Sequence, residues 1–117
     1  MRDYVPKSSA LPRSLYRRAK TFIQDYPRMC AMRDALVADR EPAPLRLGGK
    51  MHAAVLSADI EAVDRALSRI PGEYRQGVMD NLLYGVRLID LDGASERTWQ
   101  RQRESFLRAV AEEKNWL

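Results

Sequence analysis

The chain has 117 residues, 45% hydrophobic and 31% charged, which is enough apolar material for one modest core and too much for a disordered segment. Its single cysteine (Cys30) and single histidine (His52) exclude a disulfide framework, a Cys/His zinc site and a two-histidine metal centre. Twenty Lys and Arg against sixteen Asp and Glu give a net charge of +4, so a basic protein without an obvious metal is the starting point.

Pro12 suits the first turn of a helix, and Leu15, Ala19, Phe22, Tyr26, Met29 and Leu36 then recur at spacings of four and three, with only Arg33 interrupting the stripe. Pro27 falls inside this pattern, where it removes a backbone donor, so the spacing predicts a kink or break at Tyr26–Pro27 between two nearly coaxial pieces. Asp39–Lys50 reads as a linker, because Pro42, Pro44, Gly48 and Gly49 are expected to defeat a helix there. After it, Leu56, Ile60, Val63, Leu67 and Ile70 repeat the helical spacing until Pro71-Gly72 stops it. Two stripes joined by a turn predict an antiparallel hairpin, with Leu56, Ile60, Val63 and Leu67 buried against Leu15, Phe22, Tyr26 and Met29. The arm and hairpin together form an N-terminal unit, residues 1–70, with the linker at 39–50.

The last third begins with a shorter helix over GEYRQGVMDNLLYG, with Tyr74, Val78, Leu82 and Leu83 inward and an end at Gly85. Val86–Leu91 is the one strand candidate and is too short to make a sheet alone; a single helical turn fits there as well. Ser95 is placed to cap a final helix from Glu96 to about Lys114, with Trp99, Phe106 and Val110 on its buried side. The expected fold class is all-α.

Chemistry of the catalytic kind finds no foothold. Gly48-Gly49-Lys50 lacks the earlier glycine and the following hydroxyl of a phosphate-binding loop. Cys30 lies far in sequence from His52 and reads as a structural thiol, while His52 reads as solvated or capping. Asp59, Glu61 and Asp64 share a helix with Arg65 and Arg69, so local i,i+4 ion pairs account for them. The expectation is no enzyme, no cofactor and no metal. No apolar run nears the roughly 20 residues that span a bilayer, and MRDYVPKSSALPR lacks the apolar stretch of a signal peptide, which predicts a cytoplasmic protein without a membrane partner.

The charge is unevenly spread. Residues 1–50 carry eleven basic and five acidic residues, residues 51–93 four and seven, and residues 94–117 five and four. On the last helix Arg97, Arg101, Glu104 and Arg108 share a face flanked by Gln100 and opposite Phe106 and Val110. Arg and Gln are the side chains able to make paired hydrogen bonds to guanine and adenine edges in the major groove, and the first turns after the cap are where a recognition helix touches bases. A solvated amphipathic helix is the plainer account of the same pattern.

Three stretches, LPRSLYRRAKTFIQDYPRM (11–29), IEAVDRALSRIPGEYRQGVMDNLLYG (60–85) and ASERTWQRQRESFLRAVAEEKNWL (94–117), resemble phage and prophage late-gene regulators of the RinA/ArpU type. The most specific pieces are Ile70-Pro71-x-Glu73-Tyr74-Arg75, Thr98-Trp99, and Phe106 followed by Val110-Ala111. The C-terminal part is similar to the region of sigma factors that reads the −35 promoter element. The resemblance implies a helix-turn-helix-like DNA-binding unit over 71–117, in a transcriptional regulator that binds double-stranded DNA. In that reading Arg97, Gln100 and Arg101 face bases, while Arg87, Arg103 and Arg108 neutralise phosphates, with Arg103 near the apolar edge of the wheel. A phage DNA-packaging small subunit is a related alternative. From another class comes a helical interaction module, in which the hairpin pairs with a second copy or with RNA polymerase and the basic face of Arg13, Arg17 and Lys20 meets an acidic protein.

Overall fold

The computed structural model describes residues 11–38 and 47–117, with side chains over 11–36 and 53–117. Within them lie five α-helices, one short 3-10 turn and no strand. The helices are α1 (Arg13–Gln24), α2 (Tyr26–Ala38), α3 (Leu47–Ser68), α4 (Gly72–Tyr84) and α5 (Glu96–Glu113), with the 3-10 turn at Leu88–Asp90 between the last two.

The proline acts one residue earlier than its position suggests. The helix breaks at Asp25, whose N–H donates to the Thr21 and Phe22 carbonyls, and α2 restarts at Tyr26 with Pro27 in its first turn, where no N–H is needed. Pro12 sits just outside α1, and its carbonyl accepts from Tyr16 N–H at 2.9 Å. The expected linker is shorter at its far end: α3 begins at Leu47, so Gly48 and Gly49 are helical. They occupy the first turn, and the long apolar stripe that follows stabilises the helix they open. Residues 39–46, with Pro42 and Pro44, lie outside the described residues, as does the side chain of His52.

The break at Asp25 separates two partnerships. α2 lies along α3, where Met29, Leu56 and Ile60 form a small buried cluster covered by Phe22, Tyr26, Cys30, Met32 and Leu36. α1 instead lies along α5 and α4, and α5 also runs along α3. The expected set of facing residues is therefore divided. Phe22, Tyr26 and Met29 meet Leu56 and Ile60, whereas Leu15, Val63 and Leu67 belong to a second, larger core with Ile23, Ile70, Val78, Leu82, Phe106, Leu107 and Val110, on which Phe22 and Tyr26 also pack. That core draws on α1, α3, α4 and α5 alike. Small buried residues on three of its helices (Ala19, Ala66, Ala109 and Ala111) let the helices approach closely.

The acids of α3 do something other than pair locally. Glu61 keeps its i,i+4 partner Arg65 at 3.6 Å, but Arg65 Nε also donates to Glu113 at 2.7 Å, and Arg69 pairs with Glu112 and Glu113. Asp59 binds Lys114, and Asp64 accepts from the Tyr26 hydroxyl at 2.7 Å. These charges clamp α3 to the end of α5 and to the start of α2.

The Tyr26–Asp64 bond has a pH signature. Burial, and then the carboxylate that accepts its proton, push the Tyr26 phenol well above the ordinary value of 10.0. A raised folded-state pKa means that the stabilisation is complete below the unfolded value near 10 and is lost as pH rises through the folded value. Tyr26→Phe is therefore expected to cost about 1 kcal/mol at neutral pH and to flatten the fall in stability above pH 10. Urea denaturation across the alkaline range checks both; an unchanged alkaline slope would remove Tyr26 as its source.

Candidate nucleic-acid interface

The rotation of α5 about its axis decides which side chains it offers, and its apolar side fixes that rotation. Trp99, Phe106, Leu107 and Val110 are buried, so the residues about half a turn away, Arg97, Arg101, Glu104 and Arg108, point outward. The start of the helix is set by Ser95, whose hydroxyl accepts from Thr98 N–H at 3.2 Å. The side of Trp99 is pinned from below by α4: its ring meets Tyr74 edge-on at 5.0 Å, and Gly77 gives it room. A helix held this way presents its N-terminal turns as a rigid surface.

The connection from α4 to α5 is an extended one. Gly85 ends α4 in the left-handed region at φ 73°, its N–H donating to the Asn81 carbonyl at 3.1 Å. Residues 86–95 follow, with the Leu88–Asp90 turn within them. Leu88 is buried and Leu91 packs beneath it on the core, so this turn anchors the loop to α5. The single helical turn expected around Val86–Leu91 is present.

A shallow groove of about 300 Å³ runs along the outward side of α5, lined by Tyr16, Arg97, Gln100, Arg101, Arg103 and Glu104. It continues past Arg101 and Glu104 into a smaller depression of about 190 Å³ reaching Ser105 and Arg108. The three residues expected to face bases, Arg97, Gln100 and Arg101, thus line one surface. Arg97 and Arg101 are exposed and have no ion pair or hydrogen bond among the described residues. Gln100 is exposed and reaches Glu96 at a long 3.5 Å.

The three expected phosphate contacts fare differently. Arg108 lies at the far end of the groove, with Glu112 at 3.6 Å. Arg87 is three-quarters exposed (75%) on the loop, outside the groove, and both its Nε and Nη2 donate to Asp90, which raises its pKa further above the ordinary value. Arg103 is half-buried: Nη1 donates to Asn81 Oδ1 at 3.0 Å, its guanidinium lies 6.0 Å from the Tyr16 ring, and Nε is buried without a hydrogen-bond partner. Asn81 also donates to the Val86 carbonyl at 2.7 Å, so it ties the end of α4, the loop and α5 together.

Tyr16, which lines the groove, and Asn81, which holds Arg103 beside it, are parts of the candidate site that the helical pattern does not single out. Tyr16 sits one place beyond Leu15, just off the apolar stripe, and Asn81 is a polar residue between the apolar positions of a short helix. Among the described residues no group of three His, Cys, Asp or Glu is placed to hold a metal ion, and no helix is long and apolar enough to cross a membrane. Compared with known proteins, the chain matches no family model, no curated protein and no solved structure.

Proposed function

We propose that this chain is a sequence-specific DNA-binding transcriptional regulator of prophage type, with α5 as the helix that enters the major groove. The observation that carries the reading is the groove along α5, in which Arg97, Gln100 and Arg101 stand together, the two arginines without partners, on a helix whose opposite side is fixed in the core. A guanidinium already bound to a carboxylate must break that pair before it reads a guanine; these two need break nothing. Arg108, about three turns after the helix start, contacts a phosphate where the axis has risen toward the backbone. Arg103 acts through its neighbours, as a positioning residue that locks α5 to Asn81. Arg87 is a rim charge weakened by Asp90.

The test begins with the duplex sequence that the protein enriches from a random pool. Arg97→Ala, Gln100→Ala and Arg101→Ala are each expected to relax discrimination between that duplex and a scrambled one by about 1–3 kcal/mol. Arg108→Ala should weaken both duplexes equally and lower the salt slope by about one unit. Failure to enrich any sequence would leave the protein a non-specific binder and overturn the reading.

One observation favours the interaction-module alternative. Tyr84, Val86 and Ile89 are exposed apolar residues close together in sequence on the α4–α5 connection. If all four polar substitutions left DNA binding unchanged while Ile89→Ser abolished self-association or polymerase binding, that reading would replace the regulator.

A further inference from the structure

Basic residues in this fold are mostly committed. Arg28 pairs with Asp25, Arg65 and Arg69 with Glu112 and Glu113, Arg87 with Asp90, and Lys114 with Asp59. Arg33 lies beside Asp34, Arg75 donates to the Ile70 and Ser68 carbonyls, and Arg18 stacks on Trp116 at 4.1 Å. Among the described side chains this leaves Arg13, Arg17, Lys20, Arg97 and Arg101 without an ion pair, hydrogen bond or ring partner. All five lie on α1 or on the first turns of α5, the two helices that supply the lining of the same groove through Tyr16 on one and Arg97 to Glu104 on the other.

From this we infer that α1 is the phosphate-binding wall of the DNA surface, with Arg13, Arg17 and Lys20 neutralising neighbouring phosphates of one strand while α5 reads bases beside it. The inference rests on the DNA-binding reading above and adds to its Arg108 phosphate contact three more, on a helix that reading does not use. α1 contains no acidic residue, so nothing on it repels a polyanion. Arg13 and Lys20 stand one turn to either side of Tyr16 on its own face, and Arg17 follows it directly; all three are exposed. From Arg13 to Lys20 the helix rises about 10 Å, close to three phosphate-to-phosphate steps of one strand at about 3.4 Å each along the duplex axis. Arg18, on the other side of α1, is excluded by its stacking on Trp116. The face belongs to duplex DNA and not to an acidic protein because Tyr16, on that face, lines one groove with Arg97, Gln100 and Arg101, whose donors match base edges.

The experiment compares the triple variant Arg13→Ala/Arg17→Ala/Lys20→Ala with the double variant Arg97→Ala/Arg101→Ala. Each is titrated against the enriched duplex and a scrambled 30-base-pair duplex over a range of salt. The triple variant should bind both duplexes about ten- to a hundredfold more weakly and lose close to three units of salt slope, with unchanged preference between them. A lysine version, Arg13→Lys/Arg17→Lys, should restore the slope, since only charge is required. Because the three side chains are exposed, an unchanged melting temperature will show that folding is intact. An unchanged slope in the triple variant, with sequence preference lost in the double variant, would overturn the role of α1 and leave the DNA reading standing. Loss of sequence preference instead of uniform affinity would also overturn it, by making α1 a base reader. If the unaltered protein binds neither duplex, both readings fall together.

Discussion

Trp99→Ala is expected to lower folding stability by about 3–5 kcal/mol, the range for emptying a large aromatic site in a closed core. The indole is 4% exposed and sits where α4, the Leu88–Asp90 turn and the first turn of α5 converge. Its edge-on contact with Tyr74, at 5.0 Å and 87°, adds to what area burial alone contributes. Nε1 is buried without a partner, which offsets part of that gain, so Trp99→Phe should be milder than the loss of ring area implies. Urea denaturation measures both variants. In the proposed DNA-binding reading, preference between duplexes, compared at equal folded fraction, should be unchanged in Trp99→Phe, because the ring faces away from the groove. A loss under about 1 kcal/mol in Trp99→Ala would mean that the ring is not enclosed.

Gly77→Ala is expected to destabilise by about 1–3 kcal/mol, against the usual direction for a helix interior. Alanine there ordinarily gains close to 1 kcal/mol through backbone propensity. Here the added Cβ would stand 2.6 and 2.7 Å from Cζ3 and Cη2 of Trp99 and 3.3 Å from Leu91 Cδ1. The clash outweighs the propensity because the ring has nowhere to retreat: Tyr74 closes one side and the loop leucines the other. The sign should therefore depend on the ring. In a Trp99→Ala background the same substitution should be neutral or stabilising, and the double-mutant cycle should return a coupling of about 1–3 kcal/mol. Additive effects would show that Gly77 and Trp99 do not meet.

The parts of this fold legible in the sequence are those written in one helix at a time. Ser95 as a cap, Gly85 as a stop, and Trp99, Phe106 and Val110 as the buried side of α5 each follow from local spacing or local hydrogen-bonding chemistry. Partner choice is not written that way. The stripe through Leu15, Phe22, Tyr26 and Met29 keeps one register across Pro27, yet it turns its first half to α5 and its second to α3. Periodicity tells which face is covered and is silent on what covers it. The same limit applies to charge: Arg65 has Glu61 one turn away on its own helix and lies closer to Glu113, while Asp59 and Arg69 find Lys114, Glu112 and Glu113 at the end of α5. The helical wheel does separate Arg97, Gln100 and Arg101 from the core, but the contribution of Tyr16 to their groove depends on how α1 crosses α5, which only the folded chain decides.

That crossing also governs when the molecule becomes competent during synthesis. Phe22 meets Trp116, 94 positions later, ring edge to ring at 5.5 Å, and α1 packs along α5. The α2–α3 pair can form from neighbouring sequence as it leaves the ribosome, but α1 must wait, with Ala19 and Ile23 uncovered, until α5 has emerged. Such long-range closure is slow relative to helix formation, and it is all-or-none for the groove, which has only one wall before α1 docks. A nascent chain held short of α5 should therefore carry a helical hairpin and an undocked basic helix, and gain its second wall only in the last step of folding.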